Sequence, residues 1–152
     1  MTVSVFVENR AGRAGVPLRR SFQQWIEAIP ELRRRRAAEV AIVIVGADEG
    51  RDFNRRYRGR DHATNVLSFP AELPPGPKLA LLGDLVLCAP VIAREAGEQG
   101  KPLRAHYAHM TVHGVLHLLG HDHLDDVQAQ KMEALETRIL ADLGIADPYR
   151  SA

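Results

Sequence analysis

Val3, Val5 and Val7 alternate along Thr2 to Val7 and predict a first strand. The period then changes, because Phe22, Trp25, Ile26 and Ile29 fall on one side of a helix over Ser21 to Ile29, with Ser21 as its cap. Val40 to Val45 (VAIVIV) is an unbroken, β-branched run, as expected of a strand lying centrally in a sheet covered on both faces. Beyond Gly46 a short helix is predicted from Asp48, its cap, to Arg58, with Phe53 and Tyr57 four apart. Asn65 to Phe69, stopped by Pro70, and Leu82 to Leu87 are the third and fourth strands, and the intervening AELPPGPKLAL reads as an exposed loop placed to border a functional site. Ala89 to Gln99 and Pro102 to Leu119 are successive helices, the second opening on proline after Gly100. A last helix from Asp125 to Leu143 carries Val127, Met132, Leu135, Ile139 and Leu140 at helical spacing and ends at Gly144, leaving residues 146–152 as a loose tail. About four strands and five helices predict an α+β domain or an α/β sandwich. The sheet is expected to be mixed, since Ser68 and Asp84 give its later strands uneven polarity.

Composition changes this picture little. A chain of 152 residues with 45% hydrophobic content fits one domain, residues 1–152, with a core of its own. The single cysteine excludes an internal disulfide, and MTVSVFVENRAG lacks the basic start and long apolar run of a signal peptide, so the cytoplasm is the expected location. No apolar stretch approaches the 18 or so residues of a membrane span, and no membrane partner is expected. Net charge is only +1, yet Arg33 to Arg36 run together and Arg51, Arg55, Arg56, Arg58 and Arg60 crowd one segment. Arginine in excess of lysine suits bidentate contacts to phosphate, although most basic runs are solvated faces.

The chemistry is concentrated in HGVLHLLGHDH, His113 to His123. His113 and His117, four apart, project from one face of a helix. A third ligand further along that helix would lie too far off for one ion with bonds of about 2.1 Å, so the chain must turn. Gly120 supplies the turn and brings His123 to the same point. His121 is the competing choice, but it requires the helix to run on through Gly120. Three neutral imidazoles suit one zinc ion and leave a fourth tetrahedral position for water, as in catalytic sites. The plainer alternatives are a histidine-rich core helix or a closed zinc staple with Cys88 as fourth ligand. His109, one turn before His113, and Asp122, beside His123, are candidate partners that orient the imidazoles, although His109 reads more readily as a satisfied core histidine. The spacing is that of the metzincin proteases, with Gly114 where those enzymes carry their glutamate base, and it therefore leans away from peptide hydrolysis.

Taken together, these motifs resemble the YbeY family of single-domain bacterial metal-dependent endoribonucleases. The signature HGxLHLxGxDH appears as His113, Gly114, Leu116, His117, Leu118, Gly120, Asp122 and His123. A second, N-x-x-Y-R-x-x-D-x-x-T-N-V-L-S-F, appears as Asn54, Tyr57, Arg58, Asp61, Thr64, Asn65, Val66, Leu67, Ser68 and Phe69, and a third, L-G-D, as Leu82, Gly83 and Asp84. The resemblance implies one zinc per chain on His113, His117 and His123, with Arg58 as the functional arginine facing the cleft. It also implies maturation of ribosomal RNA, notably at the 3′ end of the small-subunit RNA, and ribosome quality control. The partners implied are ribosomal RNA and the small subunit, with ribosomal proteins or an assembly GTPase as guides. Arg51, Arg55, Arg56 and Arg60 would hold the RNA backbone. Thr64, Asn65 and Ser68 would contact substrate or, more simply, cap the local turn. The competing functions are a metalloprotease-like zinc hydrolase and a ribosome assembly factor whose metal is mainly structural.

Overall fold

The alternating N-terminal residues form β1 (Thr2–Asn9), and the β-branched run lies within β2 (Ala37–Val45), which pairs with β1 in parallel. β2 pairs in parallel with β4 (Leu81–Cys88), and β3 (Val66–Pro70) adds to β4 antiparallel, giving the order β1-β2-β4-β3. The sheet is therefore mixed and β2 is interior, as its sequence predicts, while β3 is an edge strand. The computed structural model describes residues 2–72 and 80–150, so most of the proline-rich loop expected beside the site lies outside the described residues.

Helices cover both faces because the sheet residues alternate. Val40, Ile42 and Ile44 join Phe22, Trp25 and Ile26 of α1 (Arg19–Glu27) in the main core. That core also takes in Val112, Val115 and Leu116 of α4 (Leu103–Leu118) and Ile139 and Leu140 of α5 (Asp126–Asp142). Val45, Leu67, Val86 and Cys88 face the other way, against Phe53 of α2 (Ala47–Arg58) and Val91 of α3 (Ala89–Gln99). Among the described residues no helix is long and apolar enough to cross a membrane.

Two expected caps are corrected. Leu18 occupies the N-cap of α1, and Ser21 is buried inside the helix, where its hydroxyl accepts a hydrogen bond from Arg104 at 2.7 Å. Gly46 occupies the N-cap of α2, with Asp48 and Glu49 in the first turn, where carboxylates favour the helix dipole without capping it. Asp125 does cap α5, its side chain accepting from the Gln128 amide at 2.8 Å.

The tail is corrected as well. Residues 146–150 fold back so that the Tyr149 hydroxyl donates to Glu136 and its ring packs edge-on against His109, centroids 5.3 Å apart. The Tyr149 amide is tied to Asp147 at 2.9 Å. Residues 151–152 lie outside the described residues.

α4 is the central helix, buried on nearly every side, and it packs directly on the sheet at Gly114. A Cβ there would sit 2.8 Å from Leu85 Cδ2 and 3.2 Å from Val66 Cγ2, so the signature glycine is a packing requirement. Ser68 closes the same contact by donating to the Gly114 carbonyl at 3.1 Å. Gly83 of the L-G-D motif is required for a related reason: with φ at +146°, its Cβ would fall 2.2 Å from the Phe69 carbonyl of the neighbouring strand. At the other end of α4, buried His106 holds Glu95 of α3 at 2.8 Å, and Glu95 in turn accepts from Asn65 Nδ2 at 3.1 Å.

Gly114→Ala is expected to lower stability by about 1–3 kcal/mol, the usual range for overpacking a core, read as a drop in the urea midpoint. Gly114→Glu is expected to prevent folding, because an unpaired carboxylate would be buried against Leu85 and Val66. Burial lowers the pKa of His106 from its ordinary 6.5, with Lys101 and His109 adding to that and Glu95 opposing it. Below pH 6.5 the unfolded chain therefore takes up a proton that the folded protein resists, and this part of stability is lost as pH falls. The urea midpoint is accordingly expected to drop less between pH 7.5 and 5.5 in His106→Gln than in the wild type.

Candidate metal centre

α4 ends as its sequence predicts. The Gly120 amide donates to the His117 carbonyl and the His121 amide to the Leu116 carbonyl, each at 3.0 Å, with Gly120 at φ +98°. These are the two bonds of a Schellman cap, which turns the chain back on itself. Asp122 then accepts from the His123 backbone amide at 2.8 Å and fixes the next step of the turn. The result is convergence: one ring nitrogen each from His113, His117 and His123 lies within 4.8 Å of the others. His113 Nε2 and His117 Nε2 are 3.1 Å apart, near the edge of about 3.4 Å that two bonds of 2.1 Å subtend in a tetrahedron. His121 is turned elsewhere, bonded to Glu31 of the 3-10 turn Pro30–Arg34.

The donor chemistry fits a metal ion. Burial, then the neighbouring His113 and His123, lower the pKa of His117 and favour the neutral imidazole that coordinates. His113 Nδ1 faces the carboxylate of Glu136, which only accepts, so the proton sits on Nδ1 and the Nε2 lone pair is turned toward the cluster. Among the described residues no fourth histidine, cysteine, aspartate or glutamate joins these three. Cys88 belongs to the smaller core on the opposite face of the sheet, its thiol donating toward the Gly46 carbonyl at 3.6 Å and held neutral by burial. A closed staple through Cys88 is therefore not formed. The protease-type base position is closed too, since Gly114 faces Leu85 and Val66.

Glu136 is the residue that sequence reasoning missed. Its side chain has 0% exposure, and it receives hydrogen bonds from His113, from His109 Nε2 at 3.3 Å and from the Tyr149 hydroxyl. Burial alone would raise its pKa, but these donors outweigh burial and hold the carboxyl at about 2. A signal was present: Glu136 follows Met132 by four and precedes Ile139 by three, placing an acid within the apolar stripe of α5. His109 reaches the cluster through Glu136 and by standing edge-on to the His113 ring, centroids 6.2 Å apart, and the Asp122 carboxylate serves the turn more closely than the His123 ring, 4.0 Å away.

The arginines divide into two groups. Arg51 pairs bidentately with Asp61 at 2.7 and 2.8 Å, while Arg55 and Arg56 share Asp52. Arg58 and Arg60, at the end of α2 and just beyond it, are exposed and form no ion pair among the described residues. Beside them Tyr57 is 64% exposed, its ring 5.0 Å from Phe69 of β3. Much of the second signature is structural. Asn54 donates to the His62 carbonyl at 2.7 Å, Asp61 holds Arg51, and Asn65 Oδ1 accepts from the Val66 amide at 2.7 Å.

The family profile described as Endoribonuclease YbeY matches residues 6–144. A relative named Endoribonuclease YbeY from Stenotrophomonas maltophilia (strain R551-3) is 63% identical over 141 residues, covering 90% of this chain and 87% of its own. Those of Xanthomonas axonopodis pv. citri and Cellvibrio japonicus are 58% and 55% identical, covering 97% and 96% of this chain and 93% and 82% of their own. The solution structure of TM1509 from Thermotoga maritima shares the fold, with a TM-score of 0.57 at 20% identity over 97% of this chain and 99% of that one.

His117→Ala is expected to abolish stoichiometric metal binding. Glu136→Gln, which keeps every imidazole, is expected to weaken it by about 10- to 100-fold in chelator competition.

Proposed function

Since the chain belongs to the YbeY endoribonuclease family, we propose that it cleaves ribosomal RNA in the cytoplasm with one zinc ion on His113, His117 and His123, and that maturation of the small-subunit RNA is its task. The observation that carries this reading is the convergence of three imidazoles with no fourth protein ligand among the described residues. Three ligands are the number that catalytic zinc sites use. A zinc ion bound there would supply Lewis-acid stabilisation of the charge that grows on the reacting phosphoryl group.

The remaining work falls to the protein. Glu136 fixes the tautomer and direction of His113, the Schellman turn places His123, and burial keeps His117 neutral. Arg58 is assigned the phosphate contact, because a guanidinium not engaged by a carboxylate can grip two phosphate oxygens at once. Arg60 supports it on the backbone. Arg51, Arg55 and Arg56 contribute only by giving up exposed carboxylate partners, an exchange that costs little at a surface. The exposed ring of Tyr57 adds a surface on which a base can stack. The small ribosomal subunit is the expected setting, with ribosomal proteins or an assembly GTPase directing the enzyme to its RNA.

The test is cleavage of structured ribosomal RNA by protein of known metal content. Wild type is expected to cut, while His117→Ala and Arg58→Glu, purified identically, fall by at least about 100-fold, the range over which a charge-stabilising group acts. Equal cleavage by all three would identify a contaminating nuclease and overturn the assignment.

A further inference from the structure

We propose that Tyr149 is a positioning residue for the metal centre, acting through Glu136 on His113. The proposal rests on the reading of His113 as a metal ligand. Tyr149 lies beyond α5, on the segment that returns across that helix, and the residue is 45% exposed. Its hydroxyl nevertheless points inward to a carboxylate with no exposure at all.

The two oxygens of Glu136 are used differently. Oε1 receives the His113 Nδ1 proton, whereas Oε2 receives Tyr149 and the longer bond from His109 at 3.3 Å. His109 Nε2 lies 3.2 Å from the Tyr149 oxygen as well, so its one proton is shared between two acceptors. The hydroxyl is therefore the only donor committed wholly to Oε2. Without it a buried, ionised oxygen keeps half of a weak bond, and the carboxylate gains by rotating to draw on His109 more fully or by admitting water. Either movement takes Oε1 off the His113 axis and loosens the imidazole that the carboxylate orients.

The segment is built to hold this geometry. Asp147 accepts from the Tyr149 amide at 2.9 Å, and the tyrosine ring stands edge-on to His109 at 85° between planes. Tyr149→Phe would keep the ring and its packing and delete only the hydroxyl. That separates the hydroxyl's hydrogen bond from the packing of the ring.

The experiment measures zinc affinity by chelator competition, together with the urea midpoint, for wild type, Tyr149→Phe, Glu136→Gln and the double variant. Tyr149→Phe is expected to weaken zinc binding roughly tenfold, the low end for loss of a partner outside the ligand set, and to lower the metal-free urea midpoint because a buried carboxylate oxygen loses a donor. In the Glu136→Gln background the same change is expected to have no further effect. Where RNA cleavage is measured in parallel, kcat is expected to fall with KM unchanged. Unaltered zinc affinity in Tyr149→Phe, or an equal loss in both backgrounds, overturns the proposal. Because affinity is read without substrate, failure of the ribonuclease reading would leave this outcome independently decided.

Discussion

A carboxylate with no access to water is the most demanding group in this protein, and its accommodation organises the functional end of the fold. Glu136 stays charged only because donors from two directions reach it: His109 and His113 from α4 and Tyr149 from the segment beyond α5. Each donor requires a different part of the chain to be in place. The α4–α5 packing, the return of the C-terminal segment and the orientation of His113 are therefore linked through one side chain. Removing one partner from such a site is costly, because the charge left behind has no solvent to turn to.

That arrangement in turn depends on α4 being held firmly against the sheet. Gly114 and Ser68 make this contact, the first by having no side chain and the second by bonding the carbonyl that the first exposes. The residue next to the first proposed ligand is thus fixed to the edge strand. A glutamate at the same point, which the protease frame would demand, has no room. The spacing of the histidines is shared with metzincins, but the helix face between them here is spent on packing.

Much of the fold was legible in the chain. Among the described residues, periodicity found the four strands and the five α-helices, and the polarity of Ser68 and Asp84 correctly anticipated a mixed sheet. Local patterning failed at two caps, where Ser21 and Asp48 carry good capping side chains but lie inside their helices because burial of Phe22 and Trp25 and the turn at Gly46 set the starts upstream. It failed too at the tail, where a short polar segment without apolar rhythm is held by hydrogen bonds to a group it could not reveal.

The sequence by itself determined the local chemistry: two histidines one helical turn apart, a glycine able to take the left-handed cap, and a third histidine just beyond it. Those relations span a few residues and follow from helix geometry and backbone sterics, so they need no knowledge of the fold. Tertiary structure decided everything that joins distant segments. It brought Glu136 to His113 with Tyr149 behind it, engaged His121 with Glu31 and placed Cys88 on the far face of the sheet. Hydrogen bonds and ion pairs depend on position to within a fraction of an ångström. Spacing along the chain carries that precision only across neighbouring turns; beyond them, the packing of the core supplies it.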